Sequence, residues 1–110
     1  MGAFNTVTVP WRSLETGQEI QVIVQFKYGD TWQHEYHVGE ELRWGGNDIG
    51  HRGARQVVVD GALEGQPPES GVPEDFEVHI VDNRIASVVP ASGRYDFASM
   101  NELYVILGEA

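Results

Sequence analysis

An alternation of apolar and polar side chains over residues 19–28 constrains the fold more than any other feature of the sequence. The apolar positions are Ile20, Val22, Val24, Phe26 and Tyr28, and the positions between them include Gln21, Gln25 and Lys27. Because successive side chains of a β-strand point to opposite faces, a period of two predicts a strand with one buried face. No segment of the chain sustains the helical period, so the sequence favours a fold built from strands.

Further short strands are predicted on both sides of a glycine-rich loop. Residues 31–38 alternate aromatic and polar side chains after a Tyr-Gly-Asp turn, which predicts the return strand of a hairpin, extended by residues 40–44. A β-branched run at 56–60, continued by Ala62 and Leu63, predicts a buried strand.

The second half of the chain ends in a hairpin and a closing strand. The segments 76–81 and 84–89 flank Asp-Asn, two residues that tolerate the left-handed conformation of a tight turn. Residues 99–102, Ser-Met-Asn-Glu, have the spacing of a helix-capping box and predict a single helical turn. The run 103–107 predicts the last strand. About six or seven short strands with little or no helix indicate one all-β domain over residues 1–110, an antiparallel β-sandwich or small barrel.

The sequence is strongly acidic, with 17 acidic against seven basic residues and a formal charge of −10. Such a charge repels phosphate backbones and anionic lipid headgroups, so we expect neither nucleic acid nor a membrane as partner. A basic protein partner, a cation or no charged partner at all are left open by the charge. The beginning of the chain lacks the pattern of a secretory signal, and no apolar run approaches the ~20 residues of a membrane span. A cytoplasmic protein is expected, and its oligomeric state is left open.

The loop at 45–53 holds four glycines in nine residues and lies among three of the seven basic residues. Exposed backbone N–H groups and guanidinium groups both suit an anion or a partner's carboxylate. We expect Trp44, which precedes the loop, to be partly exposed. The candidate binding residues are Arg43, Trp44, Asn47, Asp48, His51, Arg52 and Arg55.

Two turns share the pattern x-x-Glu-Ser/Thr-Gly, at residues 13–17 and 67–71. Zinc ribbons hold their metal with two C-x-x-C-G turns, and cysteines at Ser13, Thr16, Pro67 and Ser70 would recreate that arrangement. With the segments 24–36 and 42–50, the chain resembles small uncharacterised bacterial zinc-ribbon-like β proteins. The resemblance implies their fold. Since the sequence has no cysteine, it implies a metal-free form without a cofactor, in which packing replaces the stabilisation by zinc.

No catalytic or metal-binding residue can be assigned from the sequence. His34 and His37 would point to opposite faces of a strand and cannot bind one ion together. The chain has no cysteine nucleophile and no G-x-S-x-G motif. We therefore expect a non-catalytic protein-interaction module, such as an immunity or inhibitor protein or a scaffold. The alternatives are a metal-free structural variant of a zinc-ribbon-like protein, or a small-anion-binding domain that uses the 45–53 loop.

Overall fold

The computed structural model describes residues 4–97 and 103–109, and it confirms the predicted all-β class. The predicted helical turn at 99–102 lies outside the described residues. The strands are β1 (Asn5–Arg12), β2 (Glu19–Phe26), β3 (Gly29–Asp30), β4 (Glu35–His37), β5 (Asp48–Ile49), β6 (Ala54–Leu63), β7 (Asp75–Val81), β8 (Arg84–Pro90) and β9 (Tyr104–Glu109).

Seven of these strands form one curled sheet with the order β4-β1-β2-β6-β7-β8, and β9 pairs with β6 as well. The short strands β3 and β5 pair only with each other. The segment that follows β4 bonds to the opposite end of the sheet, because Gly39 N donates to Ile85 O at 2.7 Å and Ile85 N donates to Glu40 O at 3.0 Å. These bonds curl the sheet into a half-barrel.

The core fills the concave side of this sheet with alternate residues of each long strand, as the period of two requires. Val22, Val24 and Phe26 of β2 are buried, which confirms the face predicted from the sequence. They meet the corresponding side chains of β6 and β7. The members from these two strands are Val57, Val59, Phe76, Val78 and Ile80.

The predicted hairpin between residues 19–28 and 31–38 is wrong. The edge of β2 is occupied by β1, which was not predicted and pairs antiparallel with it from Asn5↔Phe26 to Arg12↔Glu19. Residues Glu35–His37 instead form β4, which pairs in parallel with β1. The predicted extension over 40–44 is also wrong, because those residues form a connection whose only bridge among the described residues joins Glu41 to Arg84.

The second half of the chain follows the prediction closely. Strands β7 and β8 form the expected hairpin, and its turn residues Asp82 and Asn83 have φ values of 49° and 66°. Strand β6 covers the predicted β-branched run and continues through Leu63, and the predicted last strand is β9, which pairs antiparallel with β6.

Candidate functional site

The most exposed tryptophan is Trp32, which lies on a turn between β3 and β4 and leaves 71% of its surface accessible. The next residue, Gln33, has a φ of 59°, a conformation uncommon for a residue other than glycine. Trp44 is half-buried, in agreement with the expected partial exposure, and its ring packs against Tyr28 with centroids 5.5 Å apart. No pattern in the sequence distinguished Trp32 from the other tryptophans.

Thr31, directly before Trp32, is tied to the glycine-rich loop. Thr31 is buried, and both its backbone N–H and its hydroxyl donate to the carbonyl of Asn47, at 3.0 and 2.9 Å. The Asn47 amide in turn donates to Thr31 Oγ1 at 2.9 Å. The start of the turn is therefore fixed by three hydrogen bonds to one residue.

The end of the turn is held by His34 and two buried side chains. His34 Nε2 lies 2.9 Å from Asp30 Oδ2, and His34 N donates to Asn5 Oδ1 at 3.0 Å. Asn5 is fully buried and its amide donates to the carbonyls of Tyr28 and Asp30. The exposed ring of Trp32 is thus presented by a buried polar network.

Asp30 carries negative charge within this network. Its hydrogen bond to His34 and the N–H that Asn47 donates at 3.0 Å hold the pKa of this carboxyl below its usual value. Hydrogen bonds to the ionised form stabilise that form, so Asp30 is a carboxylate at neutral pH.

Trp32, Asp30 and the glycine-rich loop line an open depression of about 270 Å³, which we call the Trp32 cleft. The cleft is also lined by Asn47 and by Gly45 and Gly46, whose φ values are 119° and 114°. Because L residues with side chains avoid such φ values, the glycines let the loop take this path.

The seven predicted binding residues do not share one environment. Asn47 lines the Trp32 cleft, and Asp48 accepts a hydrogen bond from Gly45 N at 2.8 Å. Trp44 Nε1 donates to Asn83 Oδ1 at 2.6 Å, at the β7–β8 turn. The loop therefore contributes to a site mainly through its backbone and Asn47.

The basic members of the predicted set lie apart from the cleft lining. Arg43 is exposed, and its carbonyl accepts a hydrogen bond from Asp30 N. Arg55 Nε lies 3.9 Å from Asp82 Oδ1, at the β7–β8 turn. His51 and Arg52 are exposed, and the His51 backbone bonds to the Tyr28 hydroxyl. Arg43 and Arg55 thus contact different parts of the fold.

A second polar cluster lies on β7. Glu77 is buried, and Oε2 accepts hydrogen bonds from the N–H and hydroxyl of Ser92 at 2.8 and 2.7 Å, while Oε1 lies 3.2 Å from His79 Nε2. Burial alone would raise the pKa of Glu77, but the hydrogen bonds from Ser92 and His79 outweigh burial and lower it. The sequence analysis missed this cluster, which fixes the segment after β8 against the sheet.

The two turns at 13–17 and 67–71 touch each other. Ser13 Oγ accepts hydrogen bonds from Glu15 N and Thr16 N, both at 3.2 Å, and Glu15 N also lies within 3.2 Å of Glu69 Oε2. The Leu14 side chain occupies the space beside Gly71. None of Ser13, Thr16, Pro67 and Ser70 supplies a thiolate, so the relationship to zinc ribbons stays a proposal.

Comparisons with protein-family models, curated proteins and solved structures found no match to this chain. Within residues 4–97 and 103–109, no three His, Asp or Glu side chains are placed to hold a metal ion. The same residues contain no helix of the length and hydrophobicity that crossing a bilayer requires.

Proposed function

We propose that the protein is a non-catalytic interaction module that binds a partner protein through the turn carrying Trp32. The observation that carries this proposal is the contrast between the 71% exposed ring and the buried residues that hold its turn. Tryptophan is among the residues that contribute most to protein–protein binding. A turn already held in place loses less conformational entropy on binding, so the rigid turn favours association.

The charge of the chain supports a basic partner, as for an immunity or inhibitor protein or a scaffold. The formal charge of −10 attracts a positively charged surface over long range and repels nucleic acid and anionic membranes. A cytoplasmic location is part of the proposal.

Two alternatives have different support. The contact between the turns at 13–17 and 67–71 favours a metal-free structural variant of a zinc-ribbon-like protein. A small-anion site in the loop has less support, because the cleft beside the loop is lined by the Asp30 carboxylate.

The proposal is tested by affinity capture from the source lysate with three baits: the unaltered protein, Trp32→Ala and Leu14→Ala. Leu14 is 77% exposed and is the matched control for loss of an exposed apolar side chain. We expect one stoichiometric partner that Trp32→Ala loses and Leu14→Ala retains. Equal recovery by all three baits, or no stoichiometric partner, would contradict the proposal.

A further inference from the structure

We infer that the partner inserts a lysine or arginine side chain into the Trp32 cleft, with the rest of a basic segment lying along an adjacent acidic groove. The inference rests on the proposed function and specifies the chemistry of its partner. Its basis is the geometry and charge of two depressions on either side of the Trp32–Gln33 turn.

The Trp32 cleft is lined by an aromatic ring and by a carboxylate. A cation over a tryptophan ring is attracted by the negative electrostatic potential of the ring face, and tryptophan is the strongest of the aromatic residues in this respect. The Asp30 carboxylate lines the same cleft and adds Coulomb attraction. At about 270 Å³ the cleft is smaller than a typical site for a whole small molecule, and it suits a single long side chain.

The second depression, which we call the acidic groove, has a volume of about 360 Å³ and begins at Gln33, directly after Trp32 in the chain. It crosses β1 and the neighbouring strands, and its lining includes Thr6, Thr8, Ile23, Gln33, Glu35 and Glu64. Hydroxyl, amide and carboxylate groups can accept hydrogen bonds from an extended basic segment.

The charges that line the two depressions have one sign. Asp30, Glu35 and Glu64 contribute carboxylates, whereas no lysine, arginine or histidine of the described residues lines either one. An anionic ligand would face these carboxylates, of which Asp30 alone has an ion-pair partner among the described residues, His34. A cationic side chain of a protein matches both the ring and the negative charge.

The test is an NMR titration of the 15N-labelled protein with blocked pentapeptides. The probe is acetyl-Gly-Arg-Gly-Arg-Gly-amide, and the controls replace arginine by glutamate or by glutamine. We expect the arginine peptide to shift the Trp32 indole N–H and the amides of Asn47 and Glu35 in a saturable manner that weakens with added salt. The glutamate peptide should leave these signals in place.

Three variants test which residues of the cleft and the groove contribute to peptide binding. Trp32→Ala should weaken binding of the arginine peptide about tenfold, as expected for loss of a partly desolvated cation–π contact. The double variant Glu35→Gln with Glu64→Gln should weaken it a few-fold and reduce its dependence on salt. Leu14→Ala should bind like the unaltered protein, and thermal unfolding of every variant verifies that it folds.

The inference is overturned if the arginine and glutamate peptides bind alike, if no peptide binds, or if Trp32→Ala binds arginine as before. Its failure is distinguishable from failure of the proposed function. When Trp32→Ala loses the captured partner but the arginine peptide does not bind at the cleft, the proposed function as an interaction module is retained. The inference that the cleft binds a lysine or arginine side chain is then wrong. When Trp32→Ala still captures the partner, the proposed function itself is wrong.

Discussion

Trp32 and Trp44 differ in what surrounds their rings, and this difference predicts that removing them changes the free energy of unfolding by very different amounts. Trp44→Ala should lower the free energy of unfolding by about 3 kcal/mol, because it removes the packing against Tyr28 and the hydrogen bond to Asn83. Trp32→Ala removes an exposed ring and should change stability by less than ~0.5 kcal/mol. Urea denaturation of both variants measures the change in the free energy of unfolding. A large loss in Trp32→Ala would show that the ring supports the fold rather than a partner.

Glu77 predicts a pH-dependent contribution to stability. A carboxyl whose pKa is lowered in the folded state stabilises the fold above its unfolded pKa, and the contribution disappears as the pH falls through the folded pKa. Glu77→Gln should therefore lower the free energy of unfolding by about 1–3 kcal/mol at pH 7. The difference from the unaltered protein should shrink below about pH 4.

The control for this measurement is Glu19→Gln, at an exposed position at the start of β2. It should change stability by less than ~0.5 kcal/mol at pH 7. A loss in Glu77→Gln that stayed constant from pH 7 to pH 3 would mean that the negative charge of Glu77 contributes nothing.

Among the turns and loops, the glycine-rich loop offers a matched pair of substitutions. Gly50 and Gly53 have similar φ values, 96° and 100°, but a Cβ at Gly50 would lie 2.1 Å from Tyr28 Cε1, whereas a Cβ at Gly53 meets nothing within 4 Å. Gly53→Ala should cost about 1 kcal/mol from backbone strain alone. Gly50→Ala should cost at least about 2 kcal/mol more, since Tyr28 must move.

Thermal and urea unfolding of the two alanine variants provide the comparison. Equal losses would mean that the Tyr28 ring does not pack against Gly50 as described.

Strand pairing could be predicted where the two paired strands follow each other in the sequence, and could not be predicted where they are far apart. The β7–β8 hairpin is local, and Asp82-Asn83 specifies its turn, so it could be predicted. The pairing of β4 with β1 joins segments separated by β2 and β3, and no local pattern encodes a parallel pair of this kind. Strand β1 carries Pro10, which weakens a strand prediction from sequence.

The candidate site was predicted only in part for the same reason. The glycine-rich loop was identified by composition, and Asn47 does line the cleft. The network that holds Trp32 depends on Asn5, far away in the sequence, whose role appears only when β1 lies beside the turn. An isolated asparagine near the beginning of a chain carries no local pattern that would reveal it.

At the scale of the whole molecule, the pairing of β2 with β6 places the β1–β2 turn beside the β6–β7 loop. The contact between Glu15 N and Glu69 Oε2 predicts that the variant Ser13→Cys, Thr16→Cys, Pro67→Cys and Ser70→Cys binds one Co²⁺ or Zn²⁺ ion. Sulfur-to-cobalt charge-transfer absorption would report the site, and metal should raise the melting temperature.

The control is the variant with only Ser13→Cys and Thr16→Cys, which should bind metal more weakly because it offers two thiolates. If the fourfold variant folds but binds no better than the twofold one, the two turns do not have zinc-knuckle geometry. The resemblance to zinc ribbons would then be superficial.

Strand β6 is paired much more extensively with β7 than with β2, and this difference affects which part of the molecule unfolds first. Strand β6 pairs with β7 along most of its length, but its ladder to β2 has only three residue pairs, from Val24↔Leu63 to Phe26↔Gly61. Once the bonds from Gly39 and Glu40 to Ile85 also break, the β4-β1-β2 side can separate as a unit while β6, β7, β8 and β9 stay paired. Native-state hydrogen exchange should then divide the amides into two groups, with those of Val57, Val58 and Val59 exchanging slowest. Because β4 directly follows the Trp32 turn, a partner bound there would slow exchange throughout the less stable group.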